Sequence, residues 1–435
     1  MEVYNHYPTI MMSGLGGWGE HEKQNKVMPY WGAKENDVLA DLRSLGYECY
    51  FPSLGPLNSS WDRTCILWAW LFGGTVDYGK AHSEKYGIKR FGRTYEHGVL
   101  EDLGQDGPHK KANFIGHSMG GPLIKTIHEL FVYGSEEERA VTPEDELSPL
   151  FKGGHGHLIH CLTTLSGTNN GTTLADFPTK YGLSFVTGIF AVLGAVIGDT
   201  RASNFYYIDL PQYGITPERA DARNWHFRNP LKYTDGIKKI CNPNIGAQNC
   251  FIEMTVEENL GKVNPALHDP DPNIYLFAER LSAMKPWFGP YTKPYKGMFN
   301  LTFIAGLVTG WYHPKKLKKF GVGETQDWFL GDGFVNLRGQ SAPIGMPQED
   351  AVPGQTEFKP GLWYNMPPLN GDHTSWMDLS YQENRMQNFR DMMARFRSLP
   401  DGETVNKETC YKTADSSEPA VFILFYFSRA AMYAP

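Results

Sequence analysis

The chain has 435 residues, 41% hydrophobic and 20% charged, with 46 Gly and 29 Pro, which excludes a disordered chain or a fibrous repeat and allows a large buried core. Its net charge is −7, from 41 Lys and Arg against 48 Asp and Glu, so the whole-chain balance gives no footprint for nucleic acid. Six cysteines, at 49, 65, 161, 241, 250 and 410, are too sparse for a disulfide-stapled scaffold, and only Cys241 and Cys250 lie close enough in sequence to close a local loop.

Taken in order, the chain alternates strand and helix signals. Met1 is followed within a few residues by an apolar run, with no basic, apolar and small-residue leader pattern, so the chain reads either as cytosolic or as quoted without its leader. Pro8 to Met12 predicts a buried strand ending at the Ser13-Gly14 turn. Val38, Leu39, Leu42 and Leu45 predict a helix stopped by Gly46, and Tyr47 to Phe51 a second strand. Ala112 to Ile115, then Gly116, predicts a third strand, followed by a helix with Leu123, Ile124, Ile127, Leu130 and Phe131 on one face. Leu158 to Ser166 reads as another strand, and Met386, Phe389, Met393 and Phe396 mark a late helix. Strands alternating with helices imply a mostly parallel sheet covered on both faces. Between these, Tyr181 to Gly198 runs eighteen residues without a charge, at the short limit for a membrane span, but its four glycines and mid-chain place favour a helical segment of the fold.

The string Gly116-His117-Ser118-Met119-Gly120 is G-x-S-x-G between a predicted strand and helix, the context of a nucleophile elbow. The glycines two residues either side are expected to remove side chains that would collide with strand and helix, and Pro122 suits the first turn of the helix. A serine hydroxyl needs a base, and the base needs an acid to hold its tautomer. In the chain order Ser, acid, His, Asp332 in a Gly331-Asp332-Gly333 turn is expected at a strand end, and His373 in a loop after an extended aromatic segment. Spacing alone does not single out His373 among fourteen histidines. Oxyanion donors are expected from the amides of Met119 and of Leu15 in the turn Ser13 to Gly17. Gly14 to Gly19 also matches G-x-G-x-x-G, but Glu20 and Glu22 would repel a pyrophosphate and the second strand ends in Phe51-Pro52-Ser53 without the required acid, so no nucleotide is expected.

With these residues in view the chain resembles the staphylococcal and thermoalkalophilic bacillus-type true lipases over nearly all of its length up to the last ~35 residues. The most specific block is Leu54 to Arg63 (LGPLNSSWDR), continued by Gly73 to Gly79 (GGTVDYG), Arg90 to Tyr95 (RFGRTY), Ser135 to Arg139, Leu147 to Phe151 and Asn170 to Thr173. The resemblance implies an α/β-hydrolase fold, a triad of Ser118, Asp332 and His373, and oxyanion donors at Leu15 and Met119. It further implies a lid over residues 177–203, with Phe185, Ile189, Phe190, Val192, Leu193 and Val196 on its greasy face, and a secreted protein, although no leader is visible.

The chain departs from that family at its metals. A structural zinc would be held by two aspartates and two histidines. Asp62 and His82 match two of these, Ile88 stands for the second histidine, and Gln248 for the second aspartate; two ligands do not close a zinc site, so no zinc is expected and Asp62 becomes a hydrogen-bonding partner at the domain rim. A Cys241–Cys250 bridge could replace the metal staple in an oxidising compartment. Calcium would sit just past the catalytic histidine, where Asp378 is the one nearby acid, against a need for six or more oxygens. His155, His157 and His160 read as surface or strand histidines. The expectation is therefore one α/β-hydrolase domain over residues 1–400 with a C-terminal extension over 401–435 that has no family counterpart. The expected activity is hydrolysis of lipid esters, triacylglycerols foremost, at an oil-water or membrane interface, without cofactor, nucleotide or nucleic acid. The rivals are an acyltransferase with the same triad and a non-catalytic lipid-binding descendant.

Overall fold

Residues alternate between two apolar layers along each central strand. In the strand Thr9–Met12 (β1), Ile10 and Met12 join one core cluster and Met11 the other, and all three are fully buried. The same period-two division separates Phe114 from Ile115, and Leu276 from Tyr275 and Phe277. A sheet that is apolar on both faces must be covered on both, and helices do so here. The computed structural model describes residues 2–33, 37–177, 250–380, 382 and 384–401. The candidate lid from residue 178 onward, Gln248, Cys241, Cys410 and the extension from 402 lie outside the described residues.

After β1 come the helix Val38–Ser44 (α1), the strand Cys49–Tyr50 (β2), the helix Ser60–Phe72 (α2), the strand Ala112–His117 (β3) and the helix Gly120–His128 (α3). Then follow the strand Ile159–Leu165 (β4), the strand Tyr275–Glu279 (β5), the hairpin Met284–Phe288 (β6) and Tyr291–Pro294 (β7), and the helix Asn300–Thr309 (α4). The strands Gln348–Asp350 (β8) and Trp363–Asn365 (β9) and the helix Arg385–Arg397 (α5) complete the frame. The main sheet has the order β8-β9-β5-β4-β3-β1-β2, and each of its pairings among the described residues is parallel. Helices α1 and α5 pack in the layer of Met11 and Ile115, while α2 and α3 pack in the layer of Phe114 and Leu162.

Local chemistry sets the element ends. Asp37 caps α1 by accepting from the Ala40 amide, and Gly46 follows in the left-handed conformation with φ 78°. Ser59 caps α2 through the Asp62 amide. The second strand is shorter than its sequence suggests, two residues where five were expected, because it lies at the sheet edge and pairs on β1 only through Cys49 and Tyr50. Among the described residues no helix is long and apolar enough to cross a membrane.

Candidate active site

Ser118 follows directly on β3, and its backbone turns to φ 61°, a left-handed conformation that a side-chain-bearing residue adopts at a cost of order 1–3 kcal/mol. Three backbone bonds hold it there: its amide donates to the Leu165 carbonyl (3.0 Å), and its carbonyl accepts from the amides of Gly121 (3.0 Å) and Thr168 (3.1 Å). The glycines divide the steric work differently from the expectation. A Cβ on Gly116 would stand 2.5 Å from the Gly120 carbonyl oxygen, whereas one on Gly120 would meet nothing within 4 Å. The second crowded position is Gly121, where a Cβ would reach 2.7 Å from the Thr168 amide, because α3 crosses close over the loop after β4.

His373 and Asp332 arrive from the C-terminal third. His373 Nε2 lies 2.8 Å from Ser118 Oγ and its Nδ1 2.7 Å from Asp332 Oδ2; His373 is 4% exposed and Asp332 fully buried. The other carboxylate oxygen, Oδ1, accepts from the amides of Phe334 (3.0 Å) and Val335 (2.8 Å), which leaves Oδ2 for the imidazole. The His373 amide also donates to the Asp332 carbonyl (2.9 Å), so the two loops are tied by backbone as well as side chain. Asp332 does not sit at a strand end as expected. It lies in a turn closed by the Gly331–Asn336 bridge after the short helical turn Gln326–Trp328, because Gly331 and Gly333 both take positive φ.

The turn bearing His373 is capped by Asp372. Its Oδ1 accepts from the Thr374 amide (2.9 Å) and from the hydroxyls of Thr374 and Ser380, and its Oδ2 from the Phe299 amide (2.7 Å) and the Thr302 hydroxyl (3.0 Å) of α4. The carboxylate thus fixes the residue beside His373 to a separate helix.

The early glycine turn lies directly over the serine, since a Cβ on Gly14 would stand 2.6 Å from Ser118 Cβ. Its amides are mostly committed: Gly14 donates to the Tyr30 hydroxyl (2.8 Å), Gly16 to the Pro56 carbonyl (3.0 Å), Gly17 to the Gly14 carbonyl (3.1 Å) and Gly19 to Glu22 (2.9 Å). Among the described residues the amides of Leu15 and Met119 have no acceptor. Two unspent N–H groups flanking a serine are what a developing oxyanion requires.

Three residues that support this arrangement were not singled out by sequence. Tyr30 is buried, accepts from Gly14, and so has its own O–H free to donate to His117 Nδ1 (2.7 Å). His117, the variable position of the elbow motif, then carries its proton on Nε2 and donates to the His373 carbonyl (3.2 Å). Burial, reinforced by the neighbouring His373, holds His117 far below the ordinary imidazole range, so it stays neutral. Arg63, fully buried on α2, donates to the Ser13 carbonyl (2.5 Å); burial lowers it to about 10. Arg63 belongs to the specific block Leu54–Arg63 and could have been found there, whereas Tyr30 sits in a stretch with no periodic signal.

Among the described residues the metal positions come together only in part. Asp62 Oδ1 and His82 Nε2 pair with each other at 3.2 Å, Trp61 stacks on the His82 ring at 4.8 Å, and Ile88 packs against the apolar core. Asp62 is 2% exposed, so it lies inside the fold and not at a rim, because α2 buries it against the Lys80–Tyr86 helix. Asp378 is ion-paired with the buried Arg385, so the acid available for calcium already faces a cation. Among the described residues no group of three or more His, Cys, Asp or Glu side chains could hold a metal. Asp62 and His82 alone fall short of the four ligands that close a zinc site, and Asp378 alone falls short of the oxygens calcium needs. His155, His157 and His160 diverge: the first two bond to backbone carbonyls, and His160 is fully buried in β4 beside Asn5, where burial lowers it to about 4. Cys250 is buried.

The comparisons agree with this frame. Lipase 2 of Staphylococcus aureus is 29% identical over 390 residues, 88% of this chain and 51% of that protein. The chain thus spans about half the length of the curated relatives it matches. The solved structure of EstA from Clostridium botulinum superposes with a TM-score of 0.72 at 28% identity, covering 92% of this chain and 89% of that one. Staphylococcus hyicus lipase superposes with a TM-score of 0.72 at 25% identity, covering 90% and 95%. The fold is the α/β-hydrolase type that the parallel sheet and the resemblance implied. A family model described as the C-terminal domain of lipase-like proteins matches residues 5–275, more than half of the sequence from before β1 to the start of β5, and the chain belongs to that lipase-like family.

Proposed function

We propose that this protein is a serine hydrolase of carboxylic esters of lipids, with Ser118 as nucleophile, His373 as general base and acid, Asp332 as its orienting acid, and the amides of Leu15 and Met119 as oxyanion donors. The observation that carries the reading is the unbroken chain Ser118 Oγ to His373 Nε2 (2.8 Å), then His373 Nδ1 to Asp332 Oδ2 (2.7 Å), on a serine held at φ 61°. The names of the relatives, lipases of staphylococci, support lipid esters as the substrate class, and triacylglycerols are the first to test.

The steps follow from these atoms. As Ser118 Oγ bonds to the ester carbonyl carbon, its proton passes to His373 Nε2, and the carbonyl oxygen becomes an anion facing the two amides. The C–O bond to the alcohol then breaks and Nε2 returns the proton to the departing oxygen, leaving an acyl-serine. Water repeats the sequence: its proton goes to Nε2, its oxygen to the acyl carbon, and Ser118 Oγ leaves with the proton. Two amides hold one Asp332 oxygen and the Nδ1 proton the other, so the carboxylate fixes the imidazole tautomer and faces the charge that His373 takes up.

The test is Ser118→Ala, which is expected to abolish turnover of a soluble ester and covalent labelling by a fluorophosphonate. Full activity in that variant overturns the assignment. Product analysis with a competing alcohol separates the hydrolase from an acyltransferase, and absence of turnover in the wild type on all esters leaves the lipid-binding alternative.

A further inference from the structure

The whole-chain charge hides a local reversal. Residues 281–323 carry seven lysines and no Asp or Glu, so the other 392 residues hold a net charge of −14. The same segment forms the hairpin β6–β7 and helix α4, and it exposes large apolar side chains: Phe288 is 74% and Trp287 56% exposed at the hairpin, Leu301 57% and Ile304 61% on α4. Leu301, Ile304 and Leu307 recur every three residues, so they line one outer face of the helix. Trp311, at the end of α4, meets Trp287 (5.0 Å between ring centres) and stacks on Tyr291 (4.6 Å), which joins the hairpin to the helix in one apolar surface.

The lysines are interleaved with these rings. Lys293 lies 5.4 Å from the Trp287 ring centre and Lys285 5.2 Å from that of Tyr295, while Lys296, Lys315, Lys318 and Lys319 are exposed; Lys316 is paired with Glu257. Large exposed apolar patches rimmed by charge mark docking surfaces. Tryptophan, tyrosine and lysine together suit the boundary of a lipid layer, where rings enter the acyl region and ammonium groups meet headgroup phosphates. The opposite face of α4 holds the catalytic loops: Thr302, Ala305, Gly306 and Thr309 are buried, Thr302 donates to Asp372, and Thr309 to the Gly333 carbonyl beside Asp332 (3.2 Å).

We propose that the outer face of β6–β7 and α4 docks the protein on an anionic phospholipid surface. The proposal rests on the lipid-ester reading for its purpose, since it seats the machinery one helix thickness from the layer, but binding itself needs no catalysis. The charge complementarity selects this occupant. A second copy docked face to face would oppose lysines with lysines, whereas phosphate headgroups neutralise them.

Cosedimentation of the Ser118→Ala protein with phosphatidylglycerol vesicles and with phosphatidylcholine vesicles tests it, apart from turnover. Binding to phosphatidylglycerol is expected to be more than about tenfold tighter, each lysine near the surface contributing about fivefold, and to weaken as ionic strength rises. Lys293→Glu with Lys296→Glu should cut phosphatidylglycerol binding by more than about 20-fold, and Phe288→Ser should lower partition to both vesicle types with the melting transition retained. Equal binding to the two lipids, or an anionic preference that survives the double reversal, overturns the proposal. So does a concentration-dependent dimer that Phe288→Ser dissolves, which would assign the face to a second copy. Loss of ester turnover in the wild type with vesicle binding intact would sink the hydrolase reading instead.

Discussion

Tyr30→Phe isolates the support beneath the glycine turn that carries Leu15, the candidate oxyanion donor. The substitution keeps the ring and its edge contacts with Trp31 (5.0 Å) and Trp18 (5.5 Å), and removes one oxygen. That oxygen has two partners, the Gly14 amide (2.8 Å) and His117 Nδ1 (2.7 Å), both buried. Each stranded polar group costs about 1–3 kcal/mol, so the loss is about 2–6 kcal/mol shared between the fold and the transition state. The share reaching catalysis acts through Gly14, whose next residue, Leu15, presents the candidate oxyanion amide, and through His117, which donates to the His373 carbonyl. Removing an oxyanion donor outright costs about 10²–10³ in kcat, and displacing one costs less, so a fall of about tenfold to 100-fold in kcat with little change in KM is expected. The assays are kcat and KM on a short soluble ester, the rate of fluorophosphonate labelling, and a urea melt. A variant that matches the wild type in both kcat and melting midpoint would show that the Gly14–Tyr30–His117 links carry no weight. A fall in stability alone would confine them to the fold.

The elbow glycines make a contrasting pair: Gly116→Ala should destabilise strongly or fail to express, since its Cβ would meet the Gly120 carbonyl at 2.5 Å, whereas Gly120→Ala should stay within about 0.5 kcal/mol of the wild type in a denaturant melt. Lys125 is fully enclosed and donates to Asn169, Asn259 and Asn264, and burial lowers it from 10.5 to about 7. Its folded pKa lies below the unfolded one, so the unfolded chain holds the extra proton between pH 7 and 10.5, and stability from this group rises with pH across that window by at most about 1.4 kcal/mol per unit. Lys125→Met should flatten that limb of the melting profile relative to the wild type; an unchanged slope would show that the amine stays charged in the fold. Elemental analysis of the purified protein should find zinc well below one per chain, and a stoichiometric amount would show that Asp62 and His82 gain further ligands despite Ile88 in the third position.

The strand and helix order around Ser118 was legible in the residues alone, because G-x-S-x-G is a local constraint whose strain and glycine spacing are written within six residues. The helix Val38–Ser44 with its glycine stop was equally legible, since capping and periodicity are local too. The block Leu54–Arg63 pointed to the family without saying what its residues do, and only the packing showed Arg63 reaching the Ser13 carbonyl. Spacing could not choose His373 among fourteen histidines, because the choice is made 255 residues away, where a fold brings its imidazole to Ser118. The packing likewise decided that Gly121 and not Gly120 is the crowded glycine, that Asp332 lies in a glycine turn and not at a strand end, that Asp372 ties the histidine turn to α4, and that Asp62 pairs with His82. Each of these depends on contacts between segments far apart in the chain, and such contacts leave no period, cap or turn signal in any one of them.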